Sequence, residues 1–288
     1  MTRISYVNGQ FLDHGKASVP IEDRGLQFAD GVYEVVAFFN RRLLDFGPHM
    51  KRLKRSLSEL SMSCPLAESD LKTVMERLVA ENEVTEGIVY LQITRGVAPR
   101  DHAFPDPPVT PTVIATVAPL DMAAIAERHK NGVKIILVNE NRWTRPDIKS
   151  TSLLGNVLAK EAAHQADAYE AVYVDREGNV TEGTSSNIWL IDENDILITR
   201  KTDGAILSGI TRGSVMGLVS GVEERAFSRG ELVAAKEVVI TSTTSLVMPV
   251  VRVDDAVIGD GKPGPVTRGM QKAYWGYIGK ETGYEGSS

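Results

Sequence analysis

The sequence has one cysteine, Cys64, in 288 residues, so no disulfide framework can form within the chain. Long apolar runs are missing too: none approaches the roughly 20 residues that a membrane-crossing helix needs. The start, Met1-Thr2-Arg3-Ile4-Ser5-Tyr6, lacks the apolar core of a secretory signal. The expectation is a cytoplasmic protein without a membrane partner. Positive charge is in deficit, with 32 Lys and Arg against 38 Asp and Glu, a net −6 that argues against a phosphate-backbone partner. The basic run Lys51-Arg52-Leu53-Lys54-Arg55 reads as a helix face, because Met50, Leu53, Leu57 and Leu60 recur at helical spacing beside it. No nucleic-acid partner is expected. No internal repeat or low-complexity linker is found.

What is present is a globular composition, 42% apolar and 24% charged, long enough for two domains. Asn8-Gly9 between Tyr6-Val7 and Gln10-Phe11-Leu12 predicts a tight β-hairpin. Gly31 to Phe39 reads as a strand with its return over Leu43 to Phe46. Helices are expected from Gly47-Pro48 and over Ser69 to Asn82, the latter capped by Ser69. Strands follow at Gly87 to Thr94 and Val113 to Val117, separated by a Pro-rich loop long enough to suggest a function. Near Pro119 the composition turns Ala-rich. The expected boundary gives a small N-terminal α/β domain over 1–119 and a larger domain over 120–288. In the second, strands are expected at Val133 to Val138, Glu170 to Val174, Val180 to Ile191 with a kink at Glu182 to Asn187, and Glu237 to Ile240.

Lys149 stands at the junction of the strand Val133 to Val138 and a helix whose Leu153, Leu154, Val157, Leu158 and Ala162 share one face, a place where side chains converge on ligands. Two further sites suit one anion. Gly209-Ile210-Thr211 opens a helix with free N–H groups and a hydroxyl. Ser242-Thr243-Thr244 offers hydroxyls at a strand end, and Arg52 could add a counter-charge. Neither matches a nucleotide motif: the chain is read as having no G-x-G-x-x-G and no Walker A run, so a dinucleotide or triphosphate is disfavoured. One phosphate and one lysine suggest pyridoxal phosphate, which also needs a carboxylate at its ring nitrogen. Glu182, at the kink of an apolar strand, is the candidate.

On these residues the chain resembles the fold-type IV pyridoxal-phosphate aminotransferases, and among them the D-amino-acid transaminases, from about Tyr6 to Tyr274. The resemblance rests on Gln27-Phe28-Ala29-Asp30-Gly31-Val32-Tyr33-Glu34, on Thr94-Arg95-Gly96-Val97-Ala98-Pro99-Arg100-Asp101-His102, on Asp147-Ile148-Lys149-Ser150, on Leu154-Gly155-Asn156, on Thr181-Glu182-Gly183 and on Ser242-Thr243-Thr244-Ser245. It implies an α+β or α/β chain of two domains, each a β-sheet or barrel-like sheet flanked by helices. It also implies that Lys149 forms the Schiff base, that Glu182 pairs with the ring nitrogen, that Leu207 packs on the ring, and that Arg52, Ile210, Thr211, Ser242 and Thr243 hold the phosphate. Tyr33, with Arg100 and His102 from the second subunit of a homodimer, would hold the substrate α-carboxylate. The implied reaction is ping-pong transfer of an amino group from a D-amino acid to a 2-oxo acid, with no metal. Leu246 departs from the glutamate expected there, which bears on side-chain preference. A branched-chain L-aminotransferase, an (R)-amine transaminase, an aminodeoxychorismate lyase or a non-catalytic cofactor-binding protein are the alternatives. Of these, the first two are not expected to carry Arg100-x-His102.

Overall fold

The structure is a computed structural model that describes residues 3–286. The N-terminal Met1-Thr2 and the end, Ser287-Ser288, of the tail expected to fray at 285–288 lie outside the described residues. The chain forms two compact units. The first gathers 1–120, 148–152 and 278–285; the second gathers 121–147, 153–277 and 286–288. None of the helices, among the described residues, is long and apolar enough to cross a membrane.

The first unit opens with the hairpin of β1 (Ile4–Val7) and β2 (Gln10–Asp13), joined at Asn8 and Gly9, both at positive φ as a tight reversal of this hand requires. The short helix α1 (Arg24–Phe28) leads into β3 (Gly31–Phe39), which turns at Asn40-Arg41 onto β4 (Arg42–Leu43). The return strand is shorter than expected because α2 (Phe46–Glu59) has begun by Phe46. Then come α3 (Glu68–Glu81), β5 (Gly87–Thr94) and β6 (Thr112–Pro119). Ser69 lies inside α3, and the cap position falls to Ala67 without a side-chain bond.

The six strands form one antiparallel sheet in the order β2-β1-β6-β5-β3-β4. Val32 and Val36 of β3 and Val89, Leu91 and Ile93 of β5 point to the side covered by Met50, Leu53 and Leu57 of α2 and by Leu71, Met75 and Leu78 of α3. Each such side chain, fully removed from water, contributes roughly 1.5–3 kcal/mol. Two residues after Val32, at the same inward register, stands Glu34, wholly buried in this apolar strand.

The second unit contains α4 (Met122–Asn131), β7 (Val133–Asn139), α5 (Leu154–Gln165), β8 (Glu170–Val174), β9 (Val180–Gly183), β10 (Asn187–Ile191), β11 (Leu197–Thr199) and α6 (Ile210–Met216). It continues with β12 (Val222–Glu224), α7 (Arg229–Ala234), β13 (Glu237–Ser242), β14 (Leu246–Val253), β15 (Ala256–Val257) and the part up to Tyr277 of α8 (Pro265–Thr282), whose last residues count with the first unit. The expected kink at Glu182 is a full reversal into two strands. Gly183 allows it, since a Cβ there would stand 2.2 Å from the Ser186 hydroxyl.

Strands β10, β13, β14, β7, β8 and β9 follow one another around a ring, which the pair Asn187 and Glu182 closes by joining β9 to β10. The ring encloses Ile135, Val172, Val180, Ile188, Leu190, Val238, Ile240 and Met248. Outside it, α5 lies with Ala159 and Ala163 against Ala171 and Tyr173 of β8. The apolar face read from the spacing points outward in the single chain: Leu154, Val157 and Leu158 are 73%, 60% and 58% exposed. Small side chains won the inward side because they let the helix lie close to the strand beneath it.

Candidate active site

Lys149 is placed by main-chain bonds within the first unit. Its carbonyl accepts the Tyr33 N–H at 3.0 Å, Ser150 bridges Val32, and the Thr151 N–H reaches the Gly31 carbonyl at 3.0 Å. The segment is thus an added stretch of strand beside the start of β3, with Ile148 buried in the core as its anchor. The Lys149 N–H donates to Ser56 Oγ at 3.3 Å, one turn of α2 beyond Arg52. The Lys149 side chain is half-buried, and its Nζ lies 4.1 Å from the centre of the Tyr33 ring. Tyr33 stacks on Tyr90 at 5.6 Å, and the Tyr90 hydroxyl donates to Gln92 Oε1 at 2.6 Å. Burial, with Tyr33 beside it, pushes the Tyr90 hydroxyl up to about 12, so it stays a donor at neutral pH.

Arg52 turns inward from its basic run. Its Nε and Nη2 donate to the two oxygens of Glu34 at 2.8 and 2.7 Å, and His49 Nδ1 meets the same carboxylate at 2.7 Å. Burial alone would raise the Glu34 carboxyl. The Arg52 charge and the hydrogen bonds from Arg52 and His49 outweigh it and hold Glu34 at about 2. His49 is lowered, chiefly by burial, and so favours the neutral ring. Neither Glu34 nor His49 was singled out from the sequence. The available signal was a lone glutamate at an inward position of an apolar strand.

In the second unit Glu182 is buried and fully engaged. Oε1 accepts from Arg142 Nη1 at 2.7 Å; Oε2 accepts from Asn187 Nδ2 at 3.2 Å and from the Leu207 N–H at 3.0 Å. Desolvation nevertheless wins and raises its pKa to about 7. Seen from Arg142, the same contact is favourable and pushes the guanidinium above its usual range. The two readings agree once Glu140 is included, since it takes Nε and Nη2 of Arg142 at 2.9 and 2.6 Å. One guanidinium serves two carboxylates, and the buried one is left short of positive charge. The Arg142 plane also covers the Tyr173 ring at 4.2 Å. Sequence reasoning missed Arg142, although it heads the stretch that leads to Lys149.

Asn187 ties Glu182 to the start of α6. Its amide donates to Glu182 and, at 3.0 Å, to the Leu207 carbonyl, while a Cβ on Gly209 would fall 1.9 Å from Asn187 Oδ1. Gly209 is therefore required by close approach. Being without a side chain, it leaves the first N–H groups of α6 uncapped, next to the buried Thr211. The turn from β13 to β14 is held by the Ser245 N–H on Ser242 Oγ at 3.0 Å, leaving Thr243 and Thr244 half-buried. Leu246 ends it at φ 57, a backbone region that disfavours leucine.

Contrary to the expectation that the chain has no G-x-G-x-x-G, one glycine run does spell that pattern: Gly259, Gly261 and Gly264 before α8. A carboxylate of the chain already fills the place a phosphate would take there, since Glu237 accepts the Val266 and Thr267 N–H groups at 3.0 and 2.7 Å.

Arg100 and His102 lie exposed on the loop between β5 and β6, against Phe28, with the Arg100 guanidinium 5.2 Å and the His102 ring 5.3 Å from its ring centre. Among the described residues neither side chain bonds to Tyr33 or Lys149. Within the second unit, a buried Glu182 whose guanidinium is shared with Glu140 is of the kind that suits a protonated ring nitrogen, and the uncapped start of α6 is of the kind that suits a phosphate; within the first, Lys149 is fixed by its backbone.

The family of class IV amino-transferases matches residues 31–253. The D-alanine aminotransferase of Bacillus licheniformis is 41% identical over 279 residues, 96% of this chain and 97% of that protein. That of Listeria monocytogenes is 40% identical over 93% of each chain. Among solved structures, the branched-chain amino acid aminotransferase of Escherichia coli superposes with a TM-score of 0.91 at 23% identity, covering 98% of this chain and 96% of that one. A hypothetical aminotransferase from Mycobacterium tuberculosis, in its PLP-bound form, has a TM-score of 0.83 at 19% identity, covering 96% and 99%. These two likenesses show the fold.

Proposed function

The chain belongs to the class IV aminotransferases, and on that footing we propose that it is a cytoplasmic, homodimeric, pyridoxal-phosphate-dependent transaminase of D-amino acids and 2-oxo acids. The observation that carries the cofactor reading is Glu182, a buried carboxylate whose one guanidinium partner, Arg142, is shared with Glu140. Full-length likeness to D-alanine aminotransferases supports the D-specific reading, with D-alanine as first substrate to test. The exposed Leu154, Val157 and Leu158 support a dimer, because an apolar strip on one helix face needs cover.

Pyridoxal phosphate, when bound, supplies a carbonyl that captures amines and a ring that accepts the electron pair left when an α-hydrogen departs as a proton. Lys149 Nζ would be the attachment point for the cofactor and the amine that takes the substrate α-proton and returns it to the carbon two bonds away. Tyr33 keeps that amine over its ring face. Glu182 would hold a proton on the ring nitrogen, Leu207 would pack on the ring, and Arg52, Ile210, Thr211, Ser242 and Thr243 would hold the phosphate. Glu34 fixes two of the three nitrogens of Arg52 and so sets the direction of the guanidinium. Arg100 and His102 fix the substrate carboxylate, which leaves one enantiomer with its hydrogen toward Lys149.

The test is a half-reaction: the holoenzyme with D-alanine or L-alanine alone, followed by visible absorbance. Loss of the band with D-alanine, slower loss with L-alanine, and no band in Lys149→Ala are expected. Equal or faster conversion of L-alanine would overturn D-specificity. A cofactor still covalently attached in Lys149→Ala after borohydride treatment and unfolding would overturn Lys149.

A further inference from the structure

A Pro-rich loop presents side chains reproducibly only if something outside it fixes its backbone. Here that something is built on Asp30, between α1 and β3. Asp30 Oδ2 accepts from Arg24 Nε at 2.9 Å and from Arg95 Nε at 2.7 Å, and Oδ1 accepts from Arg95 Nη2 at 3.0 Å. All three side chains are at most 10% exposed. Each arginine then reaches the loop with what is left. Arg24 Nη1 and Nη2 donate to the carbonyls of Asp101 and His102 at 2.6 and 3.3 Å. The Arg95 guanidinium covers the Phe104 ring at 3.6 Å, while its Nη2 also holds the Leu60 carbonyl at 2.7 Å. Phe28, one turn after Arg24 on α1, takes Arg24 on its ring at 4.8 Å, together with Arg100 and His102. The base of α1 is itself bound to the loop's first residues, by the Arg24 N–H on the Gly96 carbonyl at 2.9 Å and by the bridge of Asp23 with Val97.

Two buried guanidinium groups on one carboxylate exceed what holding a surface loop requires. The remaining donors of Arg24 meet the backbone at Asp101 and His102, beside Arg100, while those of Arg95 go to the Leu60 and Ser61 carbonyls and its face covers Phe104. We propose that Arg24, Asp30 and Arg95 are positioning residues for Arg100 and His102, which set affinity for the substrate carboxylate and the preference for one enantiomer without touching substrate. The proposal rests on the carboxylate-binding reading given above.

The test uses the holoenzyme of Arg24→Lys, which keeps one positive charge but cannot serve Asp30 and two carbonyls at once. Asp30→Asn serves as a second variant. The KM for D-alanine should rise about 10- to 150-fold, the value of a lost hydrogen bond to a charged group. The kcat should stay within about twofold, and the ratio of D- to L-alanine conversion should fall. A carboxylate-free substrate, (R)-1-phenylethylamine, should keep both constants. Amide hydrogen exchange should quicken at 100–104 and stay unchanged in β3 and β5. An unchanged KM for D-alanine, or an equal loss with the carboxylate-free amine, overturns the proposal. So does unchanged exchange at 100–104, whatever the substrate proves to be. A parent enzyme inert toward D-alanine whose loop nonetheless loosens in Arg24→Lys would sink the carboxylate reading, and with it the specificity role of the clamp.

Discussion

The Arg142 guanidinium gives Glu182 one N–H, at 2.7 Å, and gives Glu140 two, to which the Arg142 backbone N–H adds a third at 3.0 Å. The carboxylate proposed for the ring nitrogen is therefore built to be completed by an outside cation.

Glu182 fixes a pH dependence. Its folded pKa, about 7, lies above the ordinary 4.5. A raised carboxyl contributes stability that is present below the ordinary value and lost as pH rises through the folded one, so cofactor-free protein should weaken between pH 4.5 and 7. The melting-temperature gain on adding cofactor should grow over that window. Glu182→Gln should bind cofactor yet slow α-proton removal by about 10- to 150-fold. Single-turnover kinetics with α-deuterated D-alanine checks this; an unchanged proton-removal rate would clear Glu182 of the role.

Glu34 predicts the opposite acid behaviour. Held at about 2 instead of 4.5, it contributes stability that is present above 4.5 and lost as pH falls toward 2, roughly 3 kcal/mol in all. Glu34→Gln leaves Arg52 and the buried site without their anion and should cost about 3–5 kcal/mol. Urea unfolding at pH 7 and pH 3.5 reads both. The gap between parent and variant should shrink in acid.

Arg100→Ala should slow the D-alanine half-reaction by about 10- to 150-fold at subsaturating substrate and leave a carboxylate-free amine nearly untouched. Conversion of D-alanine at the parental rate would remove the carboxylate role from the loop.

Leu158→Glu places a charge on the exposed strip of α5, where the folded chain itself loses nothing. Sedimentation should show a parental dimer and a monomeric variant with the same far-ultraviolet spectrum. A parent that sediments as a monomer rules the dimer out.

Much of this was legible from local chemistry. The Asn8-Gly9 hairpin follows from the demand for positive φ, whereas Lys149, Glu182, Gly209 to Thr211 and the hydroxyl run after β13 enter the proposed site from the strings they stand in. What stayed hidden depends on partners distant in sequence. Glu34 reads as a polar interruption until Arg52 and His49, on another element, are brought to it. Arg142 reads as a loop cation until Glu182, 40 residues on, reverses toward it. The apolar spacing of α5 gave the element, while the outward direction of its apolar side stayed hidden, since periodicity reports that a helix has such a side and says nothing of what covers it.

The strip of chain around Lys149 also governs the order in which the molecule can be made. Ser150 pairs with Val32, 118 positions earlier, and Tyr284 stacks on Phe39 at 5.3 Å. A nascent chain that has emerged only through Leu120 carries all six strands of its first sheet but neither of these late additions. The first unit to be synthesised is thus among the last to be finished, and a truncated translation product would expose the start of β3 where the lysine belongs.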